Sequence, residues 1–286
     1  MFPKAIVATD LGPSSEAIVA CAGSLGALGV TRVTLVHVIS LDHTPSPEDD
    51  AVFSTQVASL ESAGISVTIE TPIGYAPHAI TDLAEEHDAD LIVMGTRGHG
   101  LFHTGFSGSV SSDVIRLSTV PVLLAPHAVV DSQERGAELC GRLLGSVLVP
   151  TDFSPSADNA LNLACGLGPA GMGTLTIAHV IEATFEGLRG GRERAAAERL
   201  EALVAKAHAS GVSDARGILS LGDHDRTIVG MTTSGEHTLV VLAPRCLDTI
   251  DQRFGSVTNA VIRESGIPML LLPPLCDRIS YVRGNT

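Results

Sequence analysis

The chain has 286 residues, 44% apolar and 17% charged, with 18 Lys and Arg against 32 Asp and Glu for a net charge of −14. This predicts a packed globular protein of one large or two ordinary domains. The acidic balance and lack of a basic patch argue against a nucleic-acid or anionic-membrane surface. Trp is absent and aromatic residues make up 3%, so the core must be built from Ala, Val, Ile and Leu, with no stacking platform for single-stranded nucleic acid.

The first strand is expected at Ala5–Asp10, where the N-terminus runs straight into "KAIVATD" with no signal-peptide apolar core. Further strands are expected at Arg32–Ile39, Ser66–Thr71, Asp90–Gly95 and Val120–Ala125. Between the third and fourth lies "PHAITDLAEEHD", with Ile80, Leu83, Ala84 and His87 on one helical face. Strands such as "DLIVM" are apolar on every residue, as a parallel sheet covered on both faces requires. No apolar run approaches the roughly 20 residues of a membrane span. The five cysteines (Cys21, Cys140, Cys165, Cys246, Cys276) are odd in number, with no C-x-x-C pair. They predict reduced thiols and a cytoplasmic protein.

Past the polar stretch from His127 to about Leu143, the chain repeats itself. Ala5–Ile39 lies over Val147–Ile181 without a gap, setting Thr9-Asp10 on Thr151-Asp152, Pro13 on Pro155 and His37 on His179. Gly108–Pro126 lies over Gly255–Pro273 in the same way. The second copy carries a strong helix in "ERAAAERLEALVAKAHASG", with Leu200, Leu203, Val204 and Ala207 on one face and Gly211 as its stop. Two α/β, doubly wound domains follow, at residues 1–127 and 144–275, with a linker at 128–143 and a tail at 276–286; each should hold one sheet. The apolar fifth strands, "VPVLLAP" and "IPMLLLP", would be exposed edges unless paired antiparallel with each other. The two copies are therefore expected to form an intramolecular pseudo-dimer, and a homodimer of whole chains is compatible with the sequence.

Between the fourth strand and the following helix, Gly95–Val110 ("GTRGHGLFHTGFSGSV") holds five glycines and no carboxylate. Glycine there lets backbone turn sharply and bring N–H groups to a ligand. Gly108-Ser109 opens a helix, whose N-terminus favours an anion. In an open parallel sheet, ligands sit beyond the strands' carboxyl ends where strand order reverses. The spacing Gly95-x-x-Gly98, nine residues, Gly108-Ser109 matches neither a P-loop nor a Rossmann fingerprint.

With "VATD", "LVHVI", "DADLIVMG" and "VPVLLAP", that spacing resembles the universal stress protein family in its tandem form. The resemblance implies Rossmann-like sheets ordered 3-2-1-4-5 and ATP held between the first and fourth strands. Carried over, adenine and ribose would meet Ala8, Thr9, Asp10, Val38 and Met94. Ribose and phosphates would meet Gly95, Arg97, Gly98, Gly108, Ser109, Val110 and Ser111. The implied role is an ATP-binding regulatory or stress-response protein; the alternative is a nucleotide-independent scaffold. Without a nucleophile–base pair, a G-x-S-x-G elbow or a two-metal carboxylate cluster, catalysis is expected to reach at most slow, Mg²⁺-dependent ATP hydrolysis.

Other residues read more blandly. Asp10 and Asp152 suit a cap or turn as well as a ligand role. His37 and His179 read as structural, hydrogen-bonded histidines, and Arg116 and Arg263 as solvated or ion-paired. His99 and His103 are spaced like metal ligands, but no Cys, Asp or Glu joins them in the loop, which disfavours zinc. In the second copy Gly95-Thr96-Arg97-Gly98 becomes Ala243-Pro244-Arg245-Cys246, and the loop to Gly255-Ser256 is one residue shorter. Added Cβ atoms and a missing donor predict that this half has lost the triphosphate site.

Overall fold

The structure, a computed structural model, describes residues 1–12, 19, 24–39, 47–96, 109–126, 141–182, 191–244 and 254–273. The first half runs β1 (Lys4–Ala8), β2 (Arg32–Val36), α1 (Pro47–Ser62), β3 (Ser66–Glu70), α2 (Ala76–Glu86), β4 (Leu91–Gly95), α3 (Ser109–Leu117) and β5 (Val122–Ala125). The second runs β6 (Ser146–Pro150), α4 (Pro155–Gly166), β7 (Thr174–Ile181), α5 (Gly191–Ala209), β8 (Ala215–Leu221), α6 (His224–Thr233), β9 (Leu239–Leu242), α7 (Ser256–Glu264) and β10 (Met269–Leu271).

Each half orders its strands third, second, first, fourth, fifth, all parallel. Instead of one sheet per copy, the strands form a single ten-stranded sheet, because β5 and β10 pair antiparallel. Met269 faces Leu124, Leu270 faces Leu123 and Leu271 faces Val122. All six side chains are buried, so leaving these edges open would strand backbone donors and acceptors against apolar surface.

Alternation sorts the apolar strands onto two cores, one per face. Leu91 and Val93 of β4 join one cluster, Ile92 and Met94 the other. Both clusters cross the junction: Leu123 and Leu270 share the first, Leu124 and Met269 the second. Helix starts follow local chemistry. Ser154 caps α4, accepting the Ala157 N–H, with Pro155 as its first residue. Asp223 caps α6 through the Arg226 N–H. α1 and α5 both stop just before a left-handed glycine, Gly64 at φ 80° and Gly211 at φ 93°.

β1 ends at Ala8 rather than Asp10, although the Thr9 N–H still donates to Val36 O at 2.9 Å. β5 begins at Val122, after Pro121, which has no N–H to give the ladder. Among the described residues no helix is long and apolar enough to cross a membrane. Of the cysteines, Cys165 is described; it is free and buried. Cys21, Cys140, Cys246 and Cys276 lie outside the described residues.

At the opposite end of the strands, His237 is 2% exposed, its Nδ1 3.1 Å from Ser146 Oγ. Burial pulls its pKa below 6.5, nearby Arg216 adds to the shift and Glu236 opposes it. The unfolded chain therefore takes up this proton first. Stability should be full above about pH 6.5, fall as pH drops toward the depressed folded pKa, and level off below it. Urea midpoints should fall between about pH 7.5 and 5.5, with a shallower slope in His237→Gln. An unchanged slope in that variant would count against the assignment.

Candidate functional site

In the first half, strand order reverses between β1 and β4, since β1 pairs β2 on one side and β4 on the other. The register Val7↔Val93, carried one and two steps further, sets Ala8 beside Met94 and Thr9 beside Gly95. Ala8 also partners Val36, the last residue of β2, with Val38 two residues beyond. Ala8, Thr9, Asp10, Val38, Met94 and Gly95 thus gather at the carboxyl ends of three adjacent strands. Helices in such crossovers run back against their strands, so α3 starts at this same end, with Ser109, Val110 and Ser111 in its first turn. Arg97, Gly98 and Gly108 lie outside the described residues, as do His99 and His103.

The loop after β1 is a small self-bonded turn. Leu11 N–H donates to Thr9 Oγ1 at 3.1 Å, and Gly12 N–H donates to Asp10 Oδ1 at 3.1 Å. Leu11 is held at φ 57°, a left-handed conformation that costs a branched residue energy unless its surroundings fix it. His37 helps fix it: its Nδ1 lies 3.0 Å from Thr9 O. A carbonyl only accepts, so Nδ1 carries the proton in this bond.

The second half repeats this turn. Phe153 N–H donates to Thr151 Oγ1 at 3.0 Å, Ser154 N–H to Asp152 Oδ1 at 2.8 Å, and His179 Nδ1–H to Thr151 O at 2.8 Å, with Phe153 at φ 62°. The histidines are therefore structural, as their repeated placement predicts. Both aspartates shape the turn, and Ser154, not Asp152, caps the helix that follows.

On α3, Asp113 and Arg116 are both engaged. Arg116 pairs with Asp113 at 3.0 Å, and Tyr75 donates to the same carboxylate at 2.6 Å. That ties α3 to the start of α2. In the second half Ala243 and the buried Pro244 follow β9, and Gly255 caps α7 with no Cβ neighbour within 4 Å. Ser256, the counterpart of Ser109, donates to Asp225 Oδ1 at 2.9 Å. A carboxylate thus already faces the helix N-terminus where a phosphate would otherwise sit, a feature the sequence reading missed. The interaction spans 31 residues and gives no local signal. Among the described residues no group of three or more His, Cys, Asp or Glu is placed to hold a metal.

The family model described as "Universal stress protein family" matches residues 1–126 and 144–273, one match per half. The chain belongs to the universal stress protein family. Two universal stress proteins of Synechocystis sp., Slr1230 and Sll1654, are 32% and 46% identical over 89 and 76 residues. Those stretches cover 31% and 27% of this chain and 31% and 44% of the relatives, so the chain spans less than half the length of the curated relatives it matches. A universal stress protein of Archaeoglobus fulgidus DSM 4304 superposes with a TM-score of 0.76 at 24% identity, covering 95% of this chain and 98% of that one. A functionally unknown protein of Pseudomonas aeruginosa PAO1 gives 0.63 at 13%, with 95% and 92% covered. At such identities these two likenesses speak for the fold, here the tandem universal stress protein architecture.

Proposed function

We propose that the N-terminal half binds ATP and that the chain works as a nucleotide-responsive regulatory protein of the stress response. The observation that carries this is the Gly95-x-x-Gly98, nine-residue, Gly108-Ser109 spacing, which begins at the end of β4 and ends at the start of α3. Backbone N–H groups of such a loop and the helix N-terminus suit phosphates. Ala8, Thr9, Asp10, Val38 and Met94 would line the base and ribose. Gly95, Arg97, Gly98, Gly108, Ser109, Val110 and Ser111 would hold ribose and phosphates, with Mg²⁺ accompanying the nucleotide if it is hydrolysed. Any turnover is slow, because the described side chains at this end shape turns and helix contacts and no general base emerges. The halves, residues 1–127 and 144–275, act as one paired unit, supported by the β5–β10 ladder.

Nucleotide released from denatured protein and identified by mass spectrometry tests the reading. ATP should be found, and calorimetry on nucleotide-free protein should give one ATP per chain, since Pro244 and the Asp225–Ser256 contact oppose a triphosphate in the second half. Gly108→Val should abolish binding while leaving circular dichroism unchanged. No released nucleotide and no saturable binding would favour the scaffold role; two ATP per chain would refute loss of the second site.

A further inference from the structure

The second half carries a cleft of its own, lined mainly by basic and apolar side chains. A cleft of about 380 Å³ opens beside the carboxyl ends of β6 and β7, lined by Phe153, His179, Glu182, Arg192, Arg199 and His224 among others. Two arginines and two histidines thus face one carboxylate, in a chain whose net charge is −14.

Arg192, Ala195, Ala196 and Arg199 follow i, i+3, i+4, i+7 and form the wall that α5 contributes. The two alanines leave room between the guanidinium groups. Arg199 is preset: its guanidinium carbon lies 4.1 Å from the Phe153 ring centroid, and its Nη2 donates to Phe153 O at 3.4 Å. The His179 ring packs on that same phenyl at 4.3 Å. Opposite, α6 begins with His224. Both helices start at this cleft, α5 with Glu193 in its first turn and α6 with Asp223 as its cap and Asp225 in its first turn, so the positive charge here comes from the side chains.

The first half shows that family architecture does not demand this wall. Aligned on the glycines that end them, Gly64 and Gly211, α1 places Val52 where α5 has Arg199. Glu48 and Asp49 stand where α5 has Ala195 and Ala196. Aligned at their N-caps, α2 begins with Ala76 where α6 begins with His224. The matching positions thus carry two carboxylates in α1 and two arginines in α5.

We propose that this cleft binds a phosphorylated small molecule, its phosphate held by Arg192 and Arg199 with His224 completing the anion site. Arginine's planar fork suits phosphate oxygens in a paired geometry, and the volume leaves space for an organic body beyond the phosphate. The local field agrees. Burial is the largest cause lowering the His179 pKa, the bond to Thr151 O opposes it, and both His224 and Arg199 push it further down. An arriving anion would relieve that repulsion. The site stands apart from the proposed ATP crevice and does not rest on it.

The test is calorimetric titration of the full-length chain at fixed ionic strength with two probes, ribose 5-phosphate and inorganic phosphate. Ribose 5-phosphate should bind saturably and more tightly than inorganic phosphate. Arg192→Gln and Arg199→Gln should each weaken it by about tenfold or more, the loss of one charge-assisted hydrogen-bond pair. Arg199→Lys should fall between the wild type and Arg199→Gln. The imidazole proton signals of His179 and His224 should shift on titration. Both arginines are exposed on α5, so unfolding midpoints should stay near wild type and exclude misfolding as the cause. Tighter binding of inorganic phosphate would identify the free ion as the ligand and overturn the organic assignment. Absence of saturable binding for both probes, or equal binding in both glutamine variants, would overturn the site.

Discussion

Leu270→Ala is expected to destabilise the whole chain by about 3 kcal/mol, within the usual range for a fully buried leucine cut to alanine. Leu270 is 0% exposed, and its strand partner is Leu123 of the other half. Its core cluster holds Val7 and Val93 from the first half beside Val149 and Val241 from the second. Removing three carbons loses their transfer energy and leaves a void that the rigid β5–β10 ladder cannot close. Because the cluster is shared, denaturant melts followed by backbone circular dichroism should show one transition moving to lower urea. Two transitions, with the first half keeping its midpoint, would show that the cores are energetically separate.

A second large effect is expected from Gly173→Ala, about 2–3 kcal/mol of destabilisation from overpacking. A Cβ there would overlap Gly145 O and stand 3.2 Å from Gly145 C. The obstruction is backbone and cannot swing aside. Gly145 O accepts the Thr174 N–H at 3.1 Å, and the next residue, Ser146, opens β6 with its N–H on Thr238 Oγ1 at 2.9 Å. Moving Gly145 therefore disturbs the start of the central strand. Gly230→Ala in α6 makes the contrast: nothing lies within 4 Å of its missing Cβ. It should be neutral or stabilising by up to about 1 kcal/mol through helix propensity. Equal thermal midpoints for the two variants would refute the steric account.

Much of this architecture was legible because its cause is local and repeated. Runs such as Leu91–Met94 could be nothing but strands covered on both faces, and the two-copy alignment located β6, β7 and β10 from their counterparts. The repeated Thr-Asp and His37/His179 pairs pointed to one loop chemistry, which the hydrogen bonds bear out. α1 escaped the reading because its apolar positions, Phe53, Gln56 and Leu60 among the buried ones, include a polar residue that blurs the pattern. The Asp225–Ser256 contact and the stacking of Arg199 on Phe153, 46 residues apart, are tertiary and left no trace in the sequence pattern. Arg192 and Arg199 drew no reading from the sequence, because Phe153 and His224, which close the other walls, lie on other elements. Antiparallel pairing of the two apolar edge strands was expected, and that pairing merges into one sheet what the sequence had suggested as one sheet per copy.

The reversal of direction at β5 and β10 fixes where the molecule can sense anything. All strands of the first half point one way and all those of the second the other, so the carboxyl ends of the two halves emerge at opposite rims of the sheet. Whatever the two crevices hold, one small molecule cannot bridge them, and neither occupant can feel the other's charge through solvent at physiological salt, where fields fade within about 8 Å. Cross-talk between the rims has to be mechanical, carried through the β5–β10 ladder and the two cores that cross it. Under both proposals, filling one rim is expected to leave affinity at the other nearly unchanged, which titrating each ligand in the presence of the other would check.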